Sequence, residues 1–263
     1  VTISPTVTPY IAPTTAPTPT TAPTPTTAHT PTTAPTPTLA PTKAPTPTLA
    51  PTSAPVKPVN IELDVLIGKS LSYITGQFGN PVAKEKSEYG FEWYVYHNNF
   101  RNFVMIGIQN GKVVGLYSNS ATLKFENLTV GTSRSVVRER LSSAYTGPMT
   151  SIRKGNTRYN LTNTDQKDVF MDESKYVTVF YDNTVGGTIT SIQIIDYDTE
   201  QSFGYFPAPD KGYTDSYERI AFYLINSIRV RFELPVLNYD NNMAKIAAAH
   251  SQDMIDRNFF SHT

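Results

Sequence analysis

A pattern that occurs twice constrains this chain more than any other feature. It is an apolar residue, Gly, any residue and Ser, then a short amphipathic run broken by Gly and Pro. It first reads Ile67-Gly68-Lys69-Ser70-Leu71, places Leu71, Ile74 and Phe78 at helical spacing, and breaks at Gly79-Asn80-Pro81. It returns as Val130-Gly131-Thr132-Ser133-Arg134, with Val136, Val137 and Leu141 on one face, and breaks at Gly147-Pro148. Strand signals follow each run. Tyr89–His97 alternates, with Phe91, Trp93 and Val95 on one side and Tyr94 and Tyr96 on the other. Phe103–Ile108 and Val113–Tyr117 flank Asn110-Gly111, a strong hairpin signal. In the second copy Arg158–Leu161 and Val169–Met171 precede Tyr176–Tyr181 and Ile189–Asp196, which flank Gly186-Gly187. The predicted fold is α+β: tandem helix-plus-antiparallel-meander units over 61–205, divided at about 61–126 and 127–205. Each unit is too small to bury a sheet alone, so the two are expected to fold as one body.

Residues 1–58 are a Thr-Ala-Pro-Thr-Pro-Thr tract that holds most of the chain's 21 prolines. So little aliphatic bulk cannot offset the entropy of ordering, and the tract is expected to be a disordered linker or stalk. Alternating Pro and Thr favours polyproline II at about 3.1 Å per residue, a reach on the order of 150 Å. The tract carries Lys43 and Lys57 and no acid, which leaves 20 basic against 22 acidic residues beyond it. That balance argues against nucleic-acid binding. No apolar run approaches the roughly 20 residues of a membrane-spanning helix. There is no cysteine, and the chain opens on Val1, as a removed signal peptide or an excised fragment would leave it. These features imply an extracellular, secreted or surface-associated setting.

The last stretch, 212–263, reads as two amphipathic helices. The first is expected from an Asp215 N-cap with Glu218 closing a capping box. Its stripe is Tyr217, Ile220, Ala221, Leu224 and Ile228, with Arg219, Asn226 and Arg229 off it, and it stops before Leu234-Pro235. The second starts near Asp240 and lays Ala244, Ala247, Ala248, Ser251, Met254 and Ile255 along one face. Leu224-Ile225-Asn226 with Arg229, Leu234-Pro235-Val236-Leu237, Ala249-His250-Ser251-Gln252-Asp253-Met254 and Phe260-Ser261-His262 together resemble the opening of a bacterial CAP (SCP-like) domain. This is the superfamily of cysteine-rich secretory proteins, antigen 5 and pathogenesis-related 1. Glu233 departs from it, since bacterial members commonly carry glycine there.

Gly79-Asn80-Pro81, Tyr89–Tyr96, Val104–Ile108 and Gly111–Gly115 likewise resemble the CAP-associated N-terminal domain, which precedes CAP domains in some Gram-positive secreted proteins. The resemblance implies an α-β-α sandwich of which 212–263 is the N-terminal part, with a cleft holding two His and two Glu. The first of those histidines falls on His262, a metal candidate of a partial site that implies zinc in a full CAP domain. The other tetrad residues belong to later motifs that this chain does not reach. The two helices are therefore expected to lack a partner, and from about residue 212 to be mobile or docked non-natively.

Other constellations are weaker. Gly68-Lys69-Ser70 lacks the earlier glycine of a phosphate loop, where Leu63 stands. Asp196, Asp198 and Glu200 fit either calcium or a solvated strand end. Tyr94, Tyr96, Tyr117 and Tyr181 fit an exposed platform or, preferred, a seam between units. His250 reads as a packing or capping residue. Asn127-Leu128-Thr129 and Asn160-Leu161-Thr162 are glycosylation sequons only in a eukaryotic host. No complete catalytic constellation is present. The expected function is binding or interaction at the cell envelope, with wall components, lipid-like ligands or protein partners. The alternative is a metal-assisted hydrolase acting through the CAP cleft of a longer chain.

Overall fold

The computed structural model describes residues 62–184, 186–202 and 210–261. The Pro/Thr tract and His262 lie outside the described residues. In the first unit a 3-10 turn, Asp64–Leu66, leads into α1 (Leu71–Phe78). The strands β1 (Ala83–Lys86), β2 (Glu92–Asn98), β3 (Arg101–Gln109) and β4 (Lys112–Ser118) follow. The second unit runs α2 (Arg134–Leu141), β5 (Ser151–Lys154), β6 (Thr157–Asn160), β7 (Lys167–Met171), β8 (Lys175–Asp182) and β9 (Thr188–Asp196). Three helices complete the described chain: α3 (Tyr197–Gln201), α4 (Lys211–Arg231) and α5 (Asn241–Asp256). β1, β5 and α3 had no clear sequence signal.

The two units share one seven-stranded antiparallel sheet of order β1-β2-β3-β4-β9-β8-β7, while β5 and β6 pair apart from it. They meet where β4 pairs β9, from Gly115 opposite Ile195 to Ser118 opposite Ile192. The repeated motif makes the same backbone contacts in both copies. Leu71 N–H donates to Gly111 O and Arg134 N–H to Gly187 O. Gly68 N–H donates to Val113 O and Gly131 N–H to Ile189 O. Both motif glycines are left-handed, Gly68 at φ 77° and Gly131 at φ 91°, a conformation other residues adopt only with strain. The expected hairpin has Asn110 at φ 50° and Gly111 at φ 73°, as a type I′ turn requires.

Helices α1 and α2 cover one face of the sheet. Ile74, Phe78, Val137 and Leu141 pack there with Tyr94, Tyr96, Val104, Ile106, Leu116, Val177, Val179 and Ile194. Helix α2 is also held by charge. Buried Asp168 accepts from Nε and Nη2 of both Arg134 and Arg138, at 2.6–3.0 Å, and from the Tyr181 hydroxyl at 3.2 Å. Burial alone would push its carboxyl up, but the hydrogen bonds from Arg138 and Arg134 outweigh it and hold it down to about 2. Tyr94, Tyr96 and Tyr181 are buried on this face, whereas Tyr117 lies on the other. They therefore form neither a platform nor a single seam, because the sheet itself separates them.

The second face carries Phe91, Trp93, Val95, Phe103, Met105 and Ile195, packed against Ile220, Tyr223 and Leu224 of α4. Gly107 and Gly115 make this possible. A Cβ on either would sit 2.5 or 2.8 Å from the Phe91 ring, which lies across them. The described chain is thus helix, sheet and helix in three layers, and α4 corrects two expectations. It has a partner, since the aromatic face it covers belongs to the same chain. It also begins earlier than expected, because Asp210 caps it by accepting from Tyr213 N–H at 2.7 Å. Asp215 sits one turn inside, paired with Lys211 at 2.7 Å.

Candidate functional site

The site grows from β1, a short strand whose only deeply buried residue is a glutamate. Glu85 is 2% exposed and points at α4. Arg219 meets it as a fork, Nε to Oε1 at 2.8 Å and Nη2 to Oε2 at 2.6 Å. That hydrogen bonding raises the Arg219 guanidinium above its ordinary value. Ser216, buried one turn before, accepts from Lys86 N–H at 3.1 Å. Lys86 Nζ pairs with Asp210 at 2.9 Å, Tyr213 donates to Ser87 O, and Tyr217 donates to Glu88 at 3.0 Å. Farther along, Asn119 donates to Ser227 Oγ at 2.7 Å and Arg231 to Thr190 O at 2.8 Å. Helix α4 is thus tied to β1, to the end of β4 and to β9.

These ties correct the expected helix stripe. Ile220 and Leu224 face the sheet, but Tyr217, Ala221 and Ile228 are exposed, while Arg219 is turned to Glu85 and Asn226 is buried. The cause is the buried Glu85 carboxylate, which a purely apolar helix face would leave without a counter-charge. His97 sits in the same layer. Its ring stacks on Phe100 at 4.5 Å and approaches Tyr223 at 6.0 Å, and its Nδ1 accepts from Phe100 N–H at 3.0 Å. Burial lowers its pKa to about 4.

Asn226 sets the path beyond α4. It is fully buried and clamps Leu237 by both backbone groups, accepting from N at 2.7 Å and donating to O at 3.1 Å. Arg229 Nε adds a bond to Pro235 O at 2.7 Å. The helix ends with Glu233 at φ 57°, left-handed, and Leu234 N–H returns to Arg229 O at 2.8 Å. Glycine adopts that geometry without strain. The linker then delivers α5, whose N-cap Asp240 accepts from Asn242 and Met243 N–H.

Between α4 and α5 lies a groove of about 530 Å³ that exposes Asp215, Glu218, Phe222, Tyr223, Tyr239 and Lys245. Helix α5 has no buried residue, and Met243, Ile246 and Ile255 are 65%, 64% and 71% exposed. His250 contacts Ser261 O at 3.0 Å and the Phe259 ring edge at 6.3 Å, a local packing role. His262, the metal candidate, lies outside the described residues. Among the described residues no group of three or more His, Asp or Glu could hold a metal ion. Asp196 caps α3 by accepting from Thr199 N–H, and Glu200 is buried, so the acidic triplet is neither a calcium loop nor a solvated strand end. Glu85 and Ser216 were missed in the sequence because Lys-Glu-Lys on a four-residue strand shows no apolar alternation. Asn226 stood only within a motif.

Residues 67–206 match the family described as CAP-associated N-terminal. The chain is 26% identical over 215 residues to the uncharacterized membrane protein YlbC of Bacillus subtilis, an alignment covering 74% of this chain and 61% of that protein. It therefore spans less than two thirds of that relative's length. Among solved structures, an extracellular protein containing an SCP domain from Bacillus anthracis superposes with a TM-score of 0.65 at 22% identity. That superposition covers 82% of this chain and 75% of the other. A cysteine-rich secretory protein from Staphylococcus aureus gives 0.58 at 15% identity, over 77% and 76%. At these identities the structural likeness is one of fold. Among the described residues no helix is long and apolar enough to cross a membrane.

Proposed function

The chain belongs to the CAP-associated N-terminal family, and on that premise we propose that it is a secreted or surface-associated binding module of a Gram-positive cell envelope. In this reading residues 61–205 are the platform, and 212–263 are the N-terminal part of a CAP-type domain. The Pro/Thr tract serves as their linker. The observation that carries the reading is the rigid seating of α4. The Glu85–Arg219 fork and the Asn226 clamp fix α4 and the linker, so the groove beside α5 is presented at a set angle to the sheet. The exposed apolar side chains of α5 support a further layer packing there, as in a CAP-type sandwich.

The test is co-sedimentation of the protein with purified Gram-positive cell walls and with anionic liposomes, with and without EDTA. Saturable sedimentation that ignores the chelator is the expected outcome. Zinc-dependent release of soluble wall fragments, lost in His262→Ala, would replace binding by hydrolysis. Recovery of all the protein in the supernatant with both surfaces would remove the envelope reading.

A further inference from the structure

The duplication provides an internal comparison. In the first unit the face away from α1 is dry, built from Trp93, Val95, Phe103 and Met105 under α4. The corresponding face of the second unit is mixed, with Ile152, Val169 and Tyr176 forming an apolar cluster on it. There β7, β8 and β9 present Lys167, Thr178 and Gln193 beside Tyr176 and Phe180, and among the described residues no long helix covers them. Instead the β5–β6 hairpin and α3 roof the strands and leave a recess of about 220 Å³. Sheet packing alone does not require hydroxyl and amide side chains at these positions. On β2 and β3 the first unit carries Trp93, Val95, Phe103 and Met105 instead.

The wall of the recess is mixed: Ile152, Leu161, Val169 and Ile195 line it together with Lys167, Thr178, Gln193 and Glu200. Glu200, 3% exposed, lies 3.4 Å from the Nζ of Lys154, which is 2% exposed. Tyr89 completes the group by hydrogen bonding to Glu200. Burial pushes the Glu200 carboxyl up and the Lys154 ammonium down. An ion pair shielded in this way costs desolvation that an apolar pair would avoid, so its presence asks for a reason other than stability. The Gln201 amide donates to the Tyr176 hydroxyl, which fixes α3 over the same strands. Hydroxyl, amide and carboxylate groups beside aromatic and aliphatic side chains suit a small polyhydroxylated molecule, whose ring carries both hydroxyls and apolar C–H faces. The volume lies below the roughly 300–1,000 Å³ of drug-sized sites, room for one ring.

We propose that this recess binds a single neutral sugar ring, through Thr178 and Gln193 on the sheet and Glu200 on the roof. The proposal is independent of the envelope reading, because the recess and the α4–α5 groove share no lining residue. The experiment is an amide chemical-shift titration of the whole chain with glucose and with N-acetylglucosamine, and with sodium acetate as the charged control. Saturable shifts are expected within 176–180 and 191–195 for at least one sugar. They should weaken about tenfold in Gln193→Leu and in Thr178→Val, while both variants keep the parent melting temperature. The proposal is overturned if neither sugar gives saturable shifts, if acetate gives the same ones, if the variants respond as the parent does, or if the shifts fall only on α4 and α5.

Discussion

Removing the Arg219 guanidinium should do more harm than its exposure suggests. Its side chain is 43% exposed, but the carboxylate that it holds is 1% exposed and loses both arms of the fork at 2.8 and 2.6 Å. Breaking a buried pair by deleting one partner costs about 3–5 kcal/mol, because a charge is left in a dry place. Water can enter from the Arg219 side, so the lower end applies, about 3 kcal/mol for Arg219→Ala. Replacing both partners by methionine removes the stranded charge, and that double variant should return to within about 1 kcal/mol of the parent. The chain has one tryptophan, and Trp93 is 3% exposed on the face that α4 covers, so its emission in a urea titration reports the event. Hydrogen exchange at Lys86, whose amide bonds to Ser216, separates undocking of α4 from global unfolding. A single variant within 0.5 kcal/mol of the parent, or a double variant as unstable as the single, would refute the view that this pair seats the helix.

Three further outcomes are expected. His97 has a folded pKa of about 4 against an ordinary 6.5, so the unfolded chain takes the proton first and stability falls as pH drops from 6.5 to 4. The full shift corresponds to about 3 kcal/mol, reduced to about 2 because the ring is only partly buried. Urea midpoints across that range should show the slope in the parent and lose it in His97→Phe. Trp93→Ala should cost about 3–5 kcal/mol by circular dichroism, since its indole stands edge-on to Phe91 at 4.7 Å in the dry layer. Glu233→Gly should stabilise by about 1 kcal/mol, because it relieves a left-handed non-glycine residue at the end of α4. A melting temperature unchanged or lowered by that substitution would count against the cap geometry.

The sequence by itself determined whatever rests on local rules. The Asn110-Gly111 turn and the alternation of Trp93 with Tyr94 follow from backbone sterics and strand period, and each stands in the structure as read. So does the start of α5 near Asp240. Only the tertiary structure decided what depends on a distant partner. Arg219 lies at a position that helix period assigns to solvent, yet it turns inward because Glu85, far away on an unrecognised strand, is buried opposite. Asn226 is polar by type and fully buried in fact, because its amide substitutes for backbone partners of the returning linker. Glu200 reads as one of three surface acids after a strand, and the fold places it against Lys154 under a hairpin. A side chain's charge is written in the sequence, but whether that charge meets water or a counter-charge is set by which segments the sheet brings together.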